Sequence, residues 1–242
     1  MADLPRFATA PGHVRALDFE HVLVLINYRT GQVQCLLPAA ATLWCDAAAT
    51  GRLDTLPSRF AAQLLGAGLL NATSSPVPWA SPVTARAVTA SWGGTEHPAG
   101  SVRPAPTGTT AAAVAALGLI FAIKRAGAPR TAMQRITTAL RAATSTGHQL
   151  ATPEQATAAV HAVRHAAWYS PARTACLEES AATVLFLAAR RLTVTWCHGV
   201  APDPVRLHAW VQTEDGTPIA EPPSTLAYTP ALTIGARHQH QP

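Results

Sequence analysis

Residues 175–213 read ACLEESAATVLFLAARRLTVTWCHGVAPDPVRLHAWVQT and change from helical to strand character partway along. Ala175–Arg191 is rich in apolar residues and long enough for a helix. Thr193–Val200 and Leu207–Thr213 are instead rich in β-branched and aromatic residues that alternate with polar ones, which predicts strands. A helix followed by antiparallel strands predicts a domain of the α+β class.

Cys176 lies in the first turn of this predicted helix. Backbone N–H groups at a helix N-terminus have no intrahelical partner, and together with the helix dipole they favour a thiolate over a thiol. Arg173 nearby would add to this effect. A cysteine before an apolar helix is also a common small core residue. The prediction that Cys176 is a nucleophile therefore depends on a base.

His208 fits the role of this base. It lies in a predicted strand whose alternation places His208, Trp210 and Gln212 on one face. A cysteine nucleophile needs a group that accepts its proton and later returns it, and a histidine on a strand is held rigidly. Cys176 and His208 are the predicted catalytic pair.

The residues after His208 predict a hairpin. Asp215-Gly216 is typical of a tight turn, which would lead into a further strand at Pro218–Glu221. With an even-numbered loop, Trp210 lies opposite Glu221. His208 is then a diagonal neighbour of Glu221 on the same face.

Glu221 is accordingly predicted to orient His208. A carboxylate that binds the imidazole fixes its tautomer and stabilises its charged form. Asp203 and Asp215 compete for this role, although Asp203 precedes the strand and Asp215 lies in the turn.

Three further helices are predicted before Cys176. They span Thr110–Ala126, Thr131–Ala143 and about Thr152–Tyr169. The last begins with Thr-Pro-Glu, which supplies an N-cap, a proline at the first helical position and an acid in the first turn.

The N-terminal residues predict a second, smaller α+β module. Strands are expected at His13–Asp18, His21–Tyr28 and Gln32–Leu37, followed by helices at Pro38–Thr50 and about Leu56–Leu65.

Between these parts the chain is dense in Pro, Gly and Ser, which predicts a linker with a little local structure around Val83–Ala90. The predicted organisation is a module at residues 1–72, a linker at 73–109, a domain at 110–235 and a disordered tail at 236–242.

The composition argues against several classes of protein. Hydrophobic residues make up 48% and charged residues 13%, which excludes a disordered chain. The net charge of +5 comes from scattered arginines, so nucleic-acid binding is not expected. No apolar run reaches the ~18–20 residues of a membrane span. No signal peptide is evident, so we expect a cytoplasmic protein with reduced thiols.

No metal or cofactor is expected. His161 and His165 are four residues apart on one helix face, but no third ligand accompanies them. The remaining candidates lie in apolar contexts typical of packing, although His198 could also support the catalytic pair: Cys35, Cys45, Cys197 and His198.

Three motifs stand in order along the second domain. They are Cys176-Leu177-Glu178-Glu179-Ser180, His198-Gly199-Val200 and His208-Ala209-Trp210-Val211, followed by an Asp-Gly turn. Over residues 110–235 this set resembles the transglutaminase-like cysteine peptidases of lasso peptide biosynthesis. The separation of 32 positions from Cys176 to His208 also suits that family.

This resemblance implies a papain-like or transglutaminase-like fold and a specific reaction. The cysteine would be the nucleophile that removes the leader of a precursor peptide, and the histidine its base. A partner cyclase would then close the macrolactam on the freed amine. In the family an aspartate follows on the next strand. Here Glu221 takes that place, and only if the turn is one residue longer.

The N-terminal module shows a second ordered set: Val14–Asp18, Val22–Ile26, Arg29-Thr30-Gly31 and Leu36–Trp44. Over about residues 10–72 it resembles the PqqD-like leader-peptide recognition elements. The resemblance implies a winged-helix-like fold that takes the leader as an added strand beside the third strand. The implied peptide-binding residues lie on that strand and the next helix: Gln32, Val33, Gln34, Cys35, Leu36, Leu43, Asp46 and Ala47.

The sequence thus predicts a leader-binding module tethered to a cysteine endopeptidase, with a precursor peptide as substrate. Two alternatives stay open at this point. One is a non-catalytic scaffold that binds the leader and recruits the cyclase. The other is a cysteine-dependent acyltransferase, because an amine can resolve the same thioester.

Overall fold

The computed structural model describes residues 4–85, 107–146 and 149–235. The chain divides into two compact units, Met1–Arg86 and Ala87–Pro242. Both units contain helices and strands, which confirms the predicted α+β class. The predicted tail at 236–242 and most of the predicted linker, residues 86–106, lie outside the described residues.

A four-stranded sheet forms the centre of the N-terminal unit. Its order is β4-β3-β2-β6, which leaves β4 at one edge. In this sheet β3 pairs antiparallel with both β2 and β4, and β6 runs parallel to β2. β1 and β5 form a separate pair. The bounds are β1 Phe7–Thr9, β2 Val14–Asp18, β3 Leu23–Asn27, β4 Gln32–Leu36, β5 Asn71–Thr73 and β6 Val83–Thr84.

Two helices, α1 (Pro38–Thr50) and α2 (Ser58–Gly66), follow this sheet. Pro38 occupies the first turn of α1, where a missing N–H is harmless. Gly51 ends the helix in the left-handed region, with a φ of 69°, and donates its N–H to the carbonyl of Ala47 at 2.7 Å. The predicted starts and ends of α1 therefore match the structure.

The stretch after β5 differs from the predicted linker. Residues 73–85 pack on the N-terminal unit: Trp79 is buried with its ring 5.5 Å from that of Trp44, and Ala85 is buried as well. Prolines and serines predict irregular backbone, but irregular backbone can still anchor an aromatic side chain. The N-terminal unit consequently extends past residue 72.

In the described part of the C-terminal unit four α-helices pack on one another. They are α3 (Thr107–Arg125), α4 (Ala132–Ser145), α5 (Pro153–Trp168) and α6 (Cys176–Ala188). α3 begins inside the predicted linker. The predicted cap of α5 is present: the Thr152 hydroxyl accepts the N–H of Gln155 at 3.3 Å, and the Gln155 side chain accepts that of Thr152 at 2.9 Å.

A three-stranded antiparallel sheet completes this unit, in the order β10-β9-β11. β9 is buried along its whole length, and α6 packs against β10. A short parallel pair, β7 and β8, lies apart from it. The bounds are β7 Gln149–Leu150, β8 Leu192–Thr193, β9 Thr195–Pro202, β10 Val205–Gln212 and β11 Thr229–Ile234.

The predicted strand at Pro218–Glu221 is wrong. The hairpin continues through a bridge from Gln212 to Pro218 and through bonds from the Thr213 N–H to the Thr217 carbonyl and from the Ile219 N–H to the Val211 carbonyl, without forming a strand. Ala220 then adopts a φ of 52°, which turns the chain away from the sheet. The third strand is Thr229–Ile234, on the far side of β9.

Among the described residues no single helix is long and apolar enough to cross a membrane. The pair Thr109–Arg125 and Pro129–Ser145 meets the length and hydropathy requirement only when it is joined across a 120° bend.

Candidate active site

His208 is held on β10 by aromatic neighbours. Its ring stacks on Trp210, with 5.8 Å between centroids and 14° between planes, and Tyr228 packs at 5.2 Å. Trp210 also donates its indole N–H to Gln212 at 3.1 Å. The three alternate residues of the predicted strand face therefore do lie together, and they fix the plane of the imidazole.

Gly199 on β9 makes room for this arrangement. It pairs with His208 in the strand register. A Cβ atom at Gly199 would lie 2.7 Å from the Thr229 carbonyl oxygen and 2.8 Å from the Trp210 ring. No other residue type fits without moving the indole on which His208 stacks.

Glu221 contacts His208 directly. Its Oε2 lies 2.8 Å from the imidazole Nε2, and its side chain is only 4% exposed. The predicted contact is present, although it comes from the irregular segment after Ala220 and not from a diagonal pair of strand residues. Because Nε2 faces Glu221, Nδ1 is the ring nitrogen left for exchange of a proton with a nucleophile.

Cys176, the predicted nucleophile, is the first residue of α6. The helix start is fixed by Glu178, which accepts the N–H of Ala175 at 3.1 Å and forms an ion pair with Lys124. The Cys176 side chain hydrogen-bonds His208. Helix and strand thus place the thiol and the imidazole in contact across the α6–β10 interface.

His208 is charged at neutral pH in this setting. Burial lowers its pKa, but hydrogen bonds to Cys176 and Glu221, together with the negative charge of both groups, outweigh burial and raise the pKa to about 9. A charged imidazole beside a cysteine can protonate a leaving amine.

The two competing carboxylates lie elsewhere. Asp203 is exposed in the turn between β9 and β10. Asp215 is exposed in the turn after β10, where it accepts hydrogen bonds from Thr213 and from the N–H and hydroxyl of Thr217. These bonds lower the pKa of Asp215 and bind it to its own turn.

Arg164 on α5 is the main residue that the sequence reasoning missed. Its guanidinium contacts Glu221 at 2.5 Å and the carbonyl of Ala220 at 2.6 Å. Neither spacing nor periodicity relates Arg164 to Glu221, which is 57 positions away. The one available signal was an arginine inside an otherwise apolar helix face.

Glu179 adds a second carboxylate beside this cluster. Its Oε2 lies 3.8 Å from the Arg164 Nε, and its Oε1 accepts the Thr174 hydroxyl at 3.0 Å. Burial raises the pKa of Glu179, while Thr174 and Arg164 act in the opposite direction. The cavity beside Cys176 is lined by residues of α5, α6 and β10 together with Glu221.

The remaining candidates take no direct part in this contact chain. Cys197 is buried, which raises its pKa to about 12. His198 stacks on Trp196, and burial, aided by the charge of His208, lowers its pKa to about 4. Among residues 4–85, 107–146 and 149–235, no group of three His, Cys, Asp or Glu side chains could hold a metal ion.

The implied peptide-binding residues of the N-terminal unit divide into two sets. β4 is an edge strand, and Gln32, Val33 and Cys35 are exposed on it. Leu36 is buried, so only its backbone is available. Ala47 is wrong as a wall of the site, since it is fully buried with Trp44 on the face of α1 that enters the core. On the same helix Asp46 is exposed and Leu43 is partly buried.

Comparison with known proteins gives one match. Residues 118–233 match the family model of the transglutaminase-like superfamily. Searches of curated proteins and of solved structures found no match. The matched residues run from α3 into β11 and include Cys176, His208 and Glu221. Residues 118–233 of the C-terminal unit are therefore similar to a transglutaminase-like domain, a kind of domain that generally supports cysteine-dependent peptidase or acyltransferase activity.

Proposed function

We propose that this protein is a cysteine peptidase that removes the leader from a ribosomally made precursor peptide, as in lasso peptide biosynthesis. The observation that carries the proposal is the partly buried contact chain from Cys176 through His208 to Glu221. Removal of the leader frees the core N-terminus, which a partner cyclase then joins in a macrolactam.

The contacts suit a two-step reaction. The Cys176 thiolate attacks the carbonyl carbon at the leader–core junction, and the oxyanion that forms lies near the unpaired N–H groups at the start of α6. His208 gives its proton to the departing amine, which leaves the leader as a thioester on Cys176. His208 then takes a proton from water, and the hydroxide releases the leader as a carboxylic acid.

The same thioester could pass to an amine, which is the acyltransferase alternative. The match to the transglutaminase-like superfamily is compatible with both outcomes. The non-catalytic scaffold rested on the missing aspartate, and the 2.8 Å contact of Glu221 with His208 weakens that argument. Product mass separates the three functions: two fragments, a joined product or an unchanged precursor.

The N-terminal unit would hold the leader as an extra strand on β4. Open backbone N–H and C=O groups on an edge strand give affinity, and neighbouring side chains give selectivity. Val33 is 37% exposed on this edge, so an apolar leader side chain can pack on it. With the leader bound, the tethered peptidase meets the cleavage site at a high local concentration.

The catalytic part is tested with Cys176→Ala and, as a matched control, Cys45→Ala. Each variant is mixed with a candidate precursor peptide, and products are identified by mass. We expect cleavage by the control only. Retention of cleavage by Cys176→Ala would exclude the peptidase.

A second measurement does not need the peptide. Iodoacetamide at pH 7 should alkylate Cys176 faster than Cys35, an exposed residue of β4 whose thiol is partly buried, which raises its pKa. Equal or slower labelling of Cys176 would contradict its role as a nucleophile.

Leader binding is tested with Val33→Glu and, as a control, with Gln63→Glu at another exposed position, on α2. A charge at Val33 should weaken binding of a fluorescent leader peptide, whereas Gln63→Glu should leave it unchanged. Undiminished affinity in Val33→Glu would remove the edge-strand binding mode.

A further inference from the structure

The guanidinium of Arg164 lies behind the contact chain of the active site. We infer that Arg164 is a positioning residue that holds Glu221 against His208 through a two-point contact. This inference rests on the proposed function of the same site, which it deepens.

The two points of contact are adjacent along the chain. One Nη of Arg164 donates to the Ala220 carbonyl at 2.6 Å, and the other donates to Oε1 of Glu221 at 2.5 Å. Glu221 is thereby held at two places: at the backbone carbonyl that precedes it and at its side-chain carboxylate. Its other oxygen, Oε2, faces His208 at 2.8 Å and also accepts the Thr225 hydroxyl at 3.2 Å.

Glu221 requires such a contact because no regular element holds it. It follows Ala220, whose φ of 52° is unusual for a residue with a side chain, and it precedes a short 3-10 helix at Pro223–Ala227. A glutamate also has one more rotatable bond than an aspartate. Arg164, by contrast, is held on the 16-residue helix α5 and is only 12% exposed.

The geometry favours arginine specifically. A planar guanidinium donates two parallel hydrogen bonds, whereas a lysine offers one compact charge. A purely electrostatic role would be retained by lysine. A positioning role would be lost, because lysine cannot reach both the Ala220 carbonyl and the Glu221 carboxylate in the same way.

The test uses Arg164→Lys in the full chain, with Arg135→Lys as a matched control. Arg135 also uses its guanidinium to bind carbonyls, those of Ile123 at 2.8 Å and Lys124 at 2.7 Å, away from His208. We measure the rate of iodoacetamide labelling at Cys176 against pH and the NMR titration of the His208 ring. Thermal melting reports folding.

For Arg164→Lys we expect a lower His208 pKa and labelling at pH 7 that is slower by about tenfold, as a displaced Glu221 no longer stabilises the imidazolium. Arg135→Lys should keep both quantities even if it melts earlier. Wild-type titration and labelling in Arg164→Lys would overturn the inference.

A double variant tests whether Arg164 acts through Glu221. In a Glu221→Gln background, Arg164→Lys should slow labelling by less than twofold further, because the group it positions is already gone. Full additivity of the two effects would overturn the inference.

If Arg164→Lys fails to fold, the wild-type protein still decides the matter. The Arg164 Nη–H protons should give separate, slowly exchanging NMR signals, as expected for a held guanidinium. A single averaged signal would overturn the inference.

These readouts are independent of peptide cleavage. If Cys176→Ala retained cleavage, the proposed function would fail while the labelling and titration results on Arg164 still stood. If Arg164→Lys behaved as wild type, only the positioning role would fail.

Discussion

His208 gains its charge from neighbours on two different segments. Burial alone would leave the imidazole neutral, yet Cys176 and Glu221 together raise its pKa to about 9, against an ordinary value of 6.5. A group whose pKa is raised on folding stabilises the folded state fully below its ordinary pKa. That stabilisation is lost as the pH rises through the folded-state pKa.

This sign leads to a prediction for Glu221→Gln. The variant loses a charged hydrogen bond, so we expect it to unfold more easily by on the order of 1–3 kcal/mol at pH 6. The difference from wild type should shrink as the pH rises to about 9, where His208 of the wild type also loses its proton. Urea unfolding at a series of pH values measures it. A difference that stays constant from pH 6 to pH 10 would show that Glu221 does not act through His208.

At the scale of elements, the β9–β10 pair carries the histidine only because Gly199 lets Trp210 approach. Gly199→Ala should destabilise the protein by about 1–3 kcal/mol, since the new methyl group overlaps both the indole and the Thr229 carbonyl. It should also slow labelling of Cys176, because His208 stacks on that indole. Gly118→Ala on α3 is the control: nothing lies within 4 Å of its added methyl group. An unchanged melting temperature in Gly199→Ala would contradict this packing argument.

The sequence predicted those structural features that depend on contacts between residues close together in the chain. The Thr152 cap and Gly51 stop fixed helix ends, and alternation placed His208 and Trp210 on one strand face. The sequence reasoning missed β11, because its place beside β9 depends on pairing with residues 29 to 38 positions away. The contact between Glu221 and His208 was predicted, but the backbone path that leads to it was not. The chain turns away from the sheet at Ala220, so Glu221 is not a strand residue opposite Trp210 as predicted.

Trp79 shows how a single anchor overrides composition. It lies among prolines and serines, yet it is 7% exposed and packs on Trp44. We expect Trp79→Ala to destabilise the N-terminal unit by about 3–5 kcal/mol through the cavity it leaves. Hydrogen exchange, which reports each unit separately, should show faster exchange in β2–β4. Unchanged protection there would mean that residues 73–85 do not stabilise the unit.

At the scale of the whole molecule, the proposed function raises the question why a leader-binding unit and a peptidase unit would share one chain. Under the proposed function the connection raises the local concentration of the cleavage site to about the millimolar range once the leader is bound. A weak contact between the peptidase and the residues around the cut is then sufficient. Such a design predicts that the connection matters more at low protein concentration than at high concentration.

A cleavable version of the chain tests this. A protease recognition site is inserted between residues 86 and 107, outside both the N-terminal unit and the residues that match the family model. After the cut, leader removal at about 1 µM protein should slow at least tenfold and should recover as the concentration rises. Labelling of Cys176 by iodoacetamide should stay constant, because it needs no leader. Gel filtration must show that the two pieces separate. If the separated pieces then removed the leader as fast as the intact chain, at every concentration, the tether would have no role and the N-terminal unit would act by some means other than delivering the peptide.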